Sequence, residues 1–151
     1  MNASTTSSSP ELVITRTFRA SRELIWKAWT DPKQMIQWMG PRHHPSRHYE
    51  NDLRPGGAWR SHLVPTDGSE DLWVGGVYRE LVPPERDVHT EKFDDYPGES
   101  VVTGVLTESG GKTTMTATIL YPSQEVRDIV LKSGMEHGAA ESYDRLAEIL
   151  G

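Results

Sequence analysis

The chain has 151 residues and no cysteine. That excludes disulfides, thiolate metal sites and a cysteine nucleophile, and makes the cytoplasm the expected location. No apolar run approaches the roughly 18 residues a membrane-spanning helix needs, so no membrane span is expected. Basic residues are in the minority, 16 against 22 acidic, for a formal net charge of −6. They are scattered rather than gathered into a stripe, so nucleic acid is not an expected partner. Nucleotide-type glycine loops and the serine nucleophile elbow are missing as well: "RPGG" and "GGVY" fit neither a dinucleotide nor a Walker pattern, and no G-x-S-x-G occurs. The opening "MNASTTSSSP" has neither a basic start nor an apolar core. It reads as a disordered tail over 1–10 rather than a secretory signal, ahead of one domain over 11–151.

What the chain does have is aromatic and punctuated. Five tryptophans, Trp26, Trp29, Trp38, Trp59 and Trp73, all fall in the first half, and 13 glycines and 10 prolines break the chain into short units. "ELVITRTF" (11–18) alternates as a strand. Ser21 caps a helix carrying Leu24, Ile25, Ala28 and Trp29 at helical spacing, and Asp31-Pro32 opens a second that ends before Gly40-Pro41. Six strand-like runs follow between brief turn signals, which predicts an antiparallel meander. From Ser123 onward, Leu131, Met135, Ala139, Tyr143, Leu146 and Leu150 form one apolar stripe on a helix running nearly to the end. Gly134 and Gly138 beside it each cost about 1 kcal/mol relative to alanine, so packing on the sheet must hold that helix.

The expected fold is α+β: a seven-stranded antiparallel sheet, two short helices after strand 1, and a long C-terminal helix on one face. Gly75, Gly76 and Gly104 within strands allow the sheet to bend. A sheet bent around a helix encloses concave space suited to a small molecule.

This order resembles the heat-shock-protein-90 ATPase activator-like family of the SRPBCC (START/Bet v 1-like) superfamily. The resemblance is carried by "ITRTFRASRELIWKAWTDP" (14–32), "WMGP" (38–41), "DLRPGGAWR" (52–60), "GGVYRELVPPER" (75–86) and "SGMEHGAAESYDRLAEIL" (133–150). It implies a helix-grip fold with an internal cavity. It implies no single chemistry, because the superfamily holds lipid and hormone binders, cyclases, aromatases and a co-chaperone domain. His43-His44 departs from the family, which often carries apolar or aromatic residues there.

Three of the six histidines fall within "HHPSRH" (43–48). Prolines deny this stretch a helix. If Arg54-Pro55-Gly56 form the following loop, His48 lies opposite His62; a two-residue loop would separate them. Zinc catalysis needs a third ligand that the pattern does not supply. Glu80 is a general-base candidate if its face is concave and an exposed charge if it is convex. Ser61 and His62, as strand neighbours, point to opposite faces.

The leading expectation is a binding protein for a small hydrophobic or aromatic molecule. Trp38, Trp59, Trp73, Tyr78, Met115, Met135 and Tyr143 are the expected cavity wall, with His62 and His89 as polar contacts. No catalytic residue, metal or cofactor is assigned. A cyclase- or hydrolase-like enzyme using the same cavity is the first alternative, and a module acting on a chaperone ATPase the second. Homodimerisation is left open.

Overall fold

Local chemistry sets the elements. In the computed structural model, which describes residues 10–94, 98–133 and 135–150 (side chains of 133 and 135–137 excepted), strand β1 (Glu11–Phe18) buries Leu12 and Phe18 by alternation. Helix α1 (Arg22–Thr30) starts where the Ser21 hydroxyl accepts the Leu24 amide, and α2 (Pro32–Trp38) where Asp31 accepts the Lys33 amide ahead of proline at the first helical position. The two helices bury Ile25, Trp26, Ala28, Met35 and Trp38.

Strands β2 (Ser46–Asn51), β3 (Ala58–Leu63), β4 (Leu72–Val82), β5 (Arg86–Phe93), β6 (Ser100–Ser109) and β7 (Lys112–Leu120) follow as a meander. All pairings are antiparallel, and the order across the sheet is β1-β7-β6-β5-β4-β3-β2. The expected seven-stranded α+β architecture is the observed one. The expected tail over 1–10 lies outside the described residues except for Pro10, whose carbonyl accepts the Tyr121 amide at 3.0 Å.

The C-terminal region is helical, as expected. It forms α3 (Gln124–Ser133) and α4 (Met135–Leu150). Helix α4 is anchored by Leu146, which is fully buried. It is also tied to the loop after α2, where the Arg145 guanidinium donates to the carbonyls of Gln37, Met39 and Gly40. That loop therefore closes over one end of the space between helix and sheet.

Two strand glycines are required by close approach. A Cβ at Gly76 would lie 2.0 Å from the Thr90 carbonyl oxygen, and one at Gly104 would lie 2.9 Å from the Trp29 ring. The sheet departs from regular pairing between Tyr78 and Glu80, where β4 shifts register against β5.

Candidate functional site: an aromatic cavity with an acidic strip

Between the concave face of the sheet, the loop after α2 and helix α4 lies a cavity of about 480 Å³. Its walls come from every layer: Trp38 from α2, Tyr49 from β2, Trp59 from β3, Tyr78 from β4, and Tyr143 from α4. The indole N–H groups are spent on backbone, Trp38 on the Ala28 carbonyl and Trp59 on the Thr90 carbonyl, both at 3.0 Å. What these tryptophans offer a ligand is therefore the apolar ring. Tyr49 stacks on Trp59 at 6.0 Å between centroids, and Tyr143 packs tilted against Trp38 at 6.1 Å.

The polar content is concentrated on β5. Asp87, His89, Glu91 and Phe93 share one face by strand alternation, and all four line the cavity. His89 Nδ1 lies 2.9 Å from Asp87 Oδ2. That contact favours the tautomer with the proton on Nδ1, donated to the carboxylate, and Nε2 has no hydrogen-bond partner among the described residues. Burial pushes the His89 imidazole toward its neutral form. The hydrogen bond and charge of Asp87, with Glu91 behind it, outweigh burial and leave its pKa raised. Burial raises the pKa of Glu91, opposed by nearby His89. The second Asp87 oxygen, Oδ1, is buried and unpartnered, as is His44 Nε2 on the loop side.

A hydroxyl network completes the far wall. Asn51 Nδ2 donates to the Thr30 carbonyl at 2.8 Å and to the Tyr78 hydroxyl at 3.1 Å, and the Tyr49 hydroxyl lies 3.4 Å from that of Tyr78. Burial raises the pKa of both phenols, so both remain protonated donors at neutral pH.

Of the expected wall residues, Trp38, Trp59, Tyr78, His89 and Tyr143 line this cavity. Met135 lies outside the residues whose side chains are described. His62 and Trp73 do not line it. Pairing is the reason: Trp59, Ser61 and Leu63 are buried on β3, opposite Gly76, Val74 and Leu72, so the alternate pair His62 and Trp73 turns to the outer face. There the two rings stack at 4.1 Å, His62 pairs with Asp71, and Arg60 covers Trp73 while bonding Asp94. Met115 shares the inner face of β7 with Ala117 but is fully enclosed in the core and does not reach the cavity.

The histidine-rich stretch follows the same parity. The strands are joined by a longer connection over 52–57, yet the register is the one that places His48 opposite His62; the pair lies on the outer face, where His48 is exposed beside Glu50. No group of three or more metal-ligating side chains occurs among the described residues. Glu80 is likewise exposed and bonds Arg86, because the register shift after Tyr78 removes it from that residue's face. His43 and His44 line the cavity at the loop. Tyr49, Trp29, Asp87 and Glu91 were not expected there. The signal for the acids was the spacing D-x-H-x-E in "DVHTE" (87–91), which places both carboxylates on the face of His89.

A curved antiparallel sheet closed by a C-terminal helix over a lined cavity defines the helix-grip class of START-like proteins. A family model described as "Activator of Hsp90 ATPase homolog 1-like protein" matches residues 19–151, and the chain belongs to that family. Solved structures agree. A Rhodobacter sphaeroides protein is 28% identical with a TM-score of 0.86, covering 95% of this chain and 93% of its own. A Mycobacterium smegmatis protein is 28% identical with a TM-score of 0.84, covering 94% and 91%. An Arthrobacter aurescens protein, 23% identical with a TM-score of 0.87 over 94% and 86%, shares the fold. No curated protein matches the sequence at a significant level. No helix among the described residues is long and apolar enough to cross a membrane.

Proposed function

We propose that the protein binds a small apolar or aromatic molecule in the cavity between the sheet and α4. The observation that carries this reading is the cavity itself: about 480 Å³, walled by Trp38, Tyr49, Trp59, Tyr78 and Tyr143 with one polar strip on β5. Its size and mostly apolar lining are those of ligand pockets. The cysteine-free composition supports placing the protein in the cytoplasm.

The test is binding of the neutral fluorophore N-phenyl-naphthylamine. Ala139 of α4 lines the cavity, and Ala139→Phe fills it. Saturable fluorescence enhancement in the wild type, lost in a folded Ala139→Phe variant, is the expected result. Enhancement unchanged by that substitution would place the dye elsewhere and count against the reading.

One observation favours a second reading, an enzyme in the same cavity. His89 is oriented by Asp87, and its Nε2 has no partner among the described residues, the arrangement of a general base. A nitrobenzisoxazole tests it, since loss of one ring proton to Nε2 forms a nitrile, breaks the N–O bond and releases a coloured phenoxide. A rate above that of free imidazole, lost in His89→Ala, would support catalysis. A chaperone ATPase as partner, or a homodimer, has less support: Leu24, Ile36, Leu53, Val77, Val82, Leu120, Ile129 and Ile149, the exposed large hydrophobics, are spread over seven parts of the fold.

A further inference from the structure

We propose that the cavity selects apolar amines, molecules with one cationic nitrogen on an aromatic or aliphatic body, and that Asp87 and Glu91 supply the counter-charge. This rests on the cavity being a ligand site and names the class of ligand.

The charge inventory of the lining is one-sided. Asp87 and Glu91 project from β5 and Glu141 from α4, while no lysine or arginine among the described residues lines the cavity. The guanidinium groups near it are committed elsewhere: Arg42 to Glu148, Arg145 to backbone carbonyls and Arg16 to Asp144. An anionic ligand would find only imidazoles to meet it and three carboxylates opposing it. An ammonium group finds the reverse.

Asp87 and the surrounding rings favour the same ligand. Asp87 is only 9% exposed, its Oδ2 is held by His89, and its Oδ1 is buried without a partner, so one strong acceptor remains to be satisfied. The rings around the acids are electron-rich: Tyr49, Trp59, Tyr78 and Tyr143 present π systems to the same space, which favour a cation over their faces. When Asp87 and His89 are both charged they balance, leaving Glu91 as the group whose ionisation has no internal counter-ion. The titratable groups that share the cavity with it are Asp87 and His89 on its own strand, Tyr49 from β2, Tyr78 from β4, Tyr143 and Glu141 from α4, and His43 and His44 from the loop. Burial disfavours the charged form of Glu91, and an entering ammonium favours it, so the two groups stabilise each other.

Three isosteric probes separate the possibilities by calorimetry: naphthylmethylamine, naphthylmethanol and naphthoate. The amine is expected to bind at least tenfold more tightly than the alcohol, and naphthoate more weakly than either. Glu91→Gln is expected to weaken the amine at least fivefold while leaving the alcohol within twofold, which also shows that the variant is folded. Naphthoate equal to or tighter than the amine would overturn the proposal, as would an amine-to-alcohol ratio unchanged in both Glu91→Gln and Asp87→Asn. Alcohol binding with no amine preference removes the amine proposal and leaves the cavity reading standing; failure of all three probes overturns both.

Discussion

His89 and Asp87 stand two residues apart on β5 with a 2.9 Å hydrogen bond between them, inside a cavity whose other walls are aromatic. Burial alone would make the imidazole a weaker base, and the carboxylate reverses that. Asp87→Asn should therefore drop the His89 pKa below that of a free histidine, read by NMR titration of the ring. The linkage gives a second readout. A folded-state pKa raised above the unfolded value supplies stability that is full below the unfolded value and fades as pH rises through the folded one. The variant should thus lose about 1.5–3 kcal/mol at pH near 6 and less at pH near 9. An equal loss at both would show that the pair does not shift the histidine.

Glu91 follows the same sign with the opposite consequence at neutral pH. Burial raises its pKa, so keeping it ionised in the fold costs stability. Below the unfolded carboxyl value the cost is absent; it grows as pH rises to the folded value. Glu91→Gln should raise Tm at pH near 8, with the gain closing toward pH 4. A variant less stable at pH 8 than the wild type would contradict the burial of this carboxyl.

The two faces of β3 and β4 should separate cleanly. His62→Ala and Trp73→Ala remove an outer stack and should leave probe affinity within about twofold. Tyr143→Ala, which strips a cavity wall, should weaken the naphthylmethanol probe by roughly tenfold, the scale of one buried aromatic contact. Equal effects on both faces, in titrations of folded variants, would mean that the probe does not occupy the concave side.

Helix α4 is held by packing rather than propensity. Leu146 is fully buried on its inner face, so Leu146→Ala should cost about 2–5 kcal/mol in urea unfolding. A loss under 1 kcal/mol would show that the helix is not seated on the sheet.

Strand alternation, capping serine and aspartate, and the glycine and proline breaks were enough to read the seven strands and both short helices. Parity also explains the site. Trp59 and His62 are an odd number of residues apart on one strand, so both could not line one cavity, and once Trp59 is inside, the pairing sends Trp73 out with His62. Trp59 itself could not be oriented without the sheet curvature. The acids at 87 and 91 were legible as neighbours of His89 by period 2, yet charged residues on strands are usually exposed, which masked them.

The proposed ligand binding rests on one cavity, and NOE spectroscopy on the complex with naphthylmethanol tests it most directly. Intermolecular contacts from the ring to Tyr78, His89 and Tyr143, with none to His62 or Trp73, are the predicted result. Contacts confined to the outer stack of His62 and Trp73, or a saturated complex with none to β5 or α4, would contradict it.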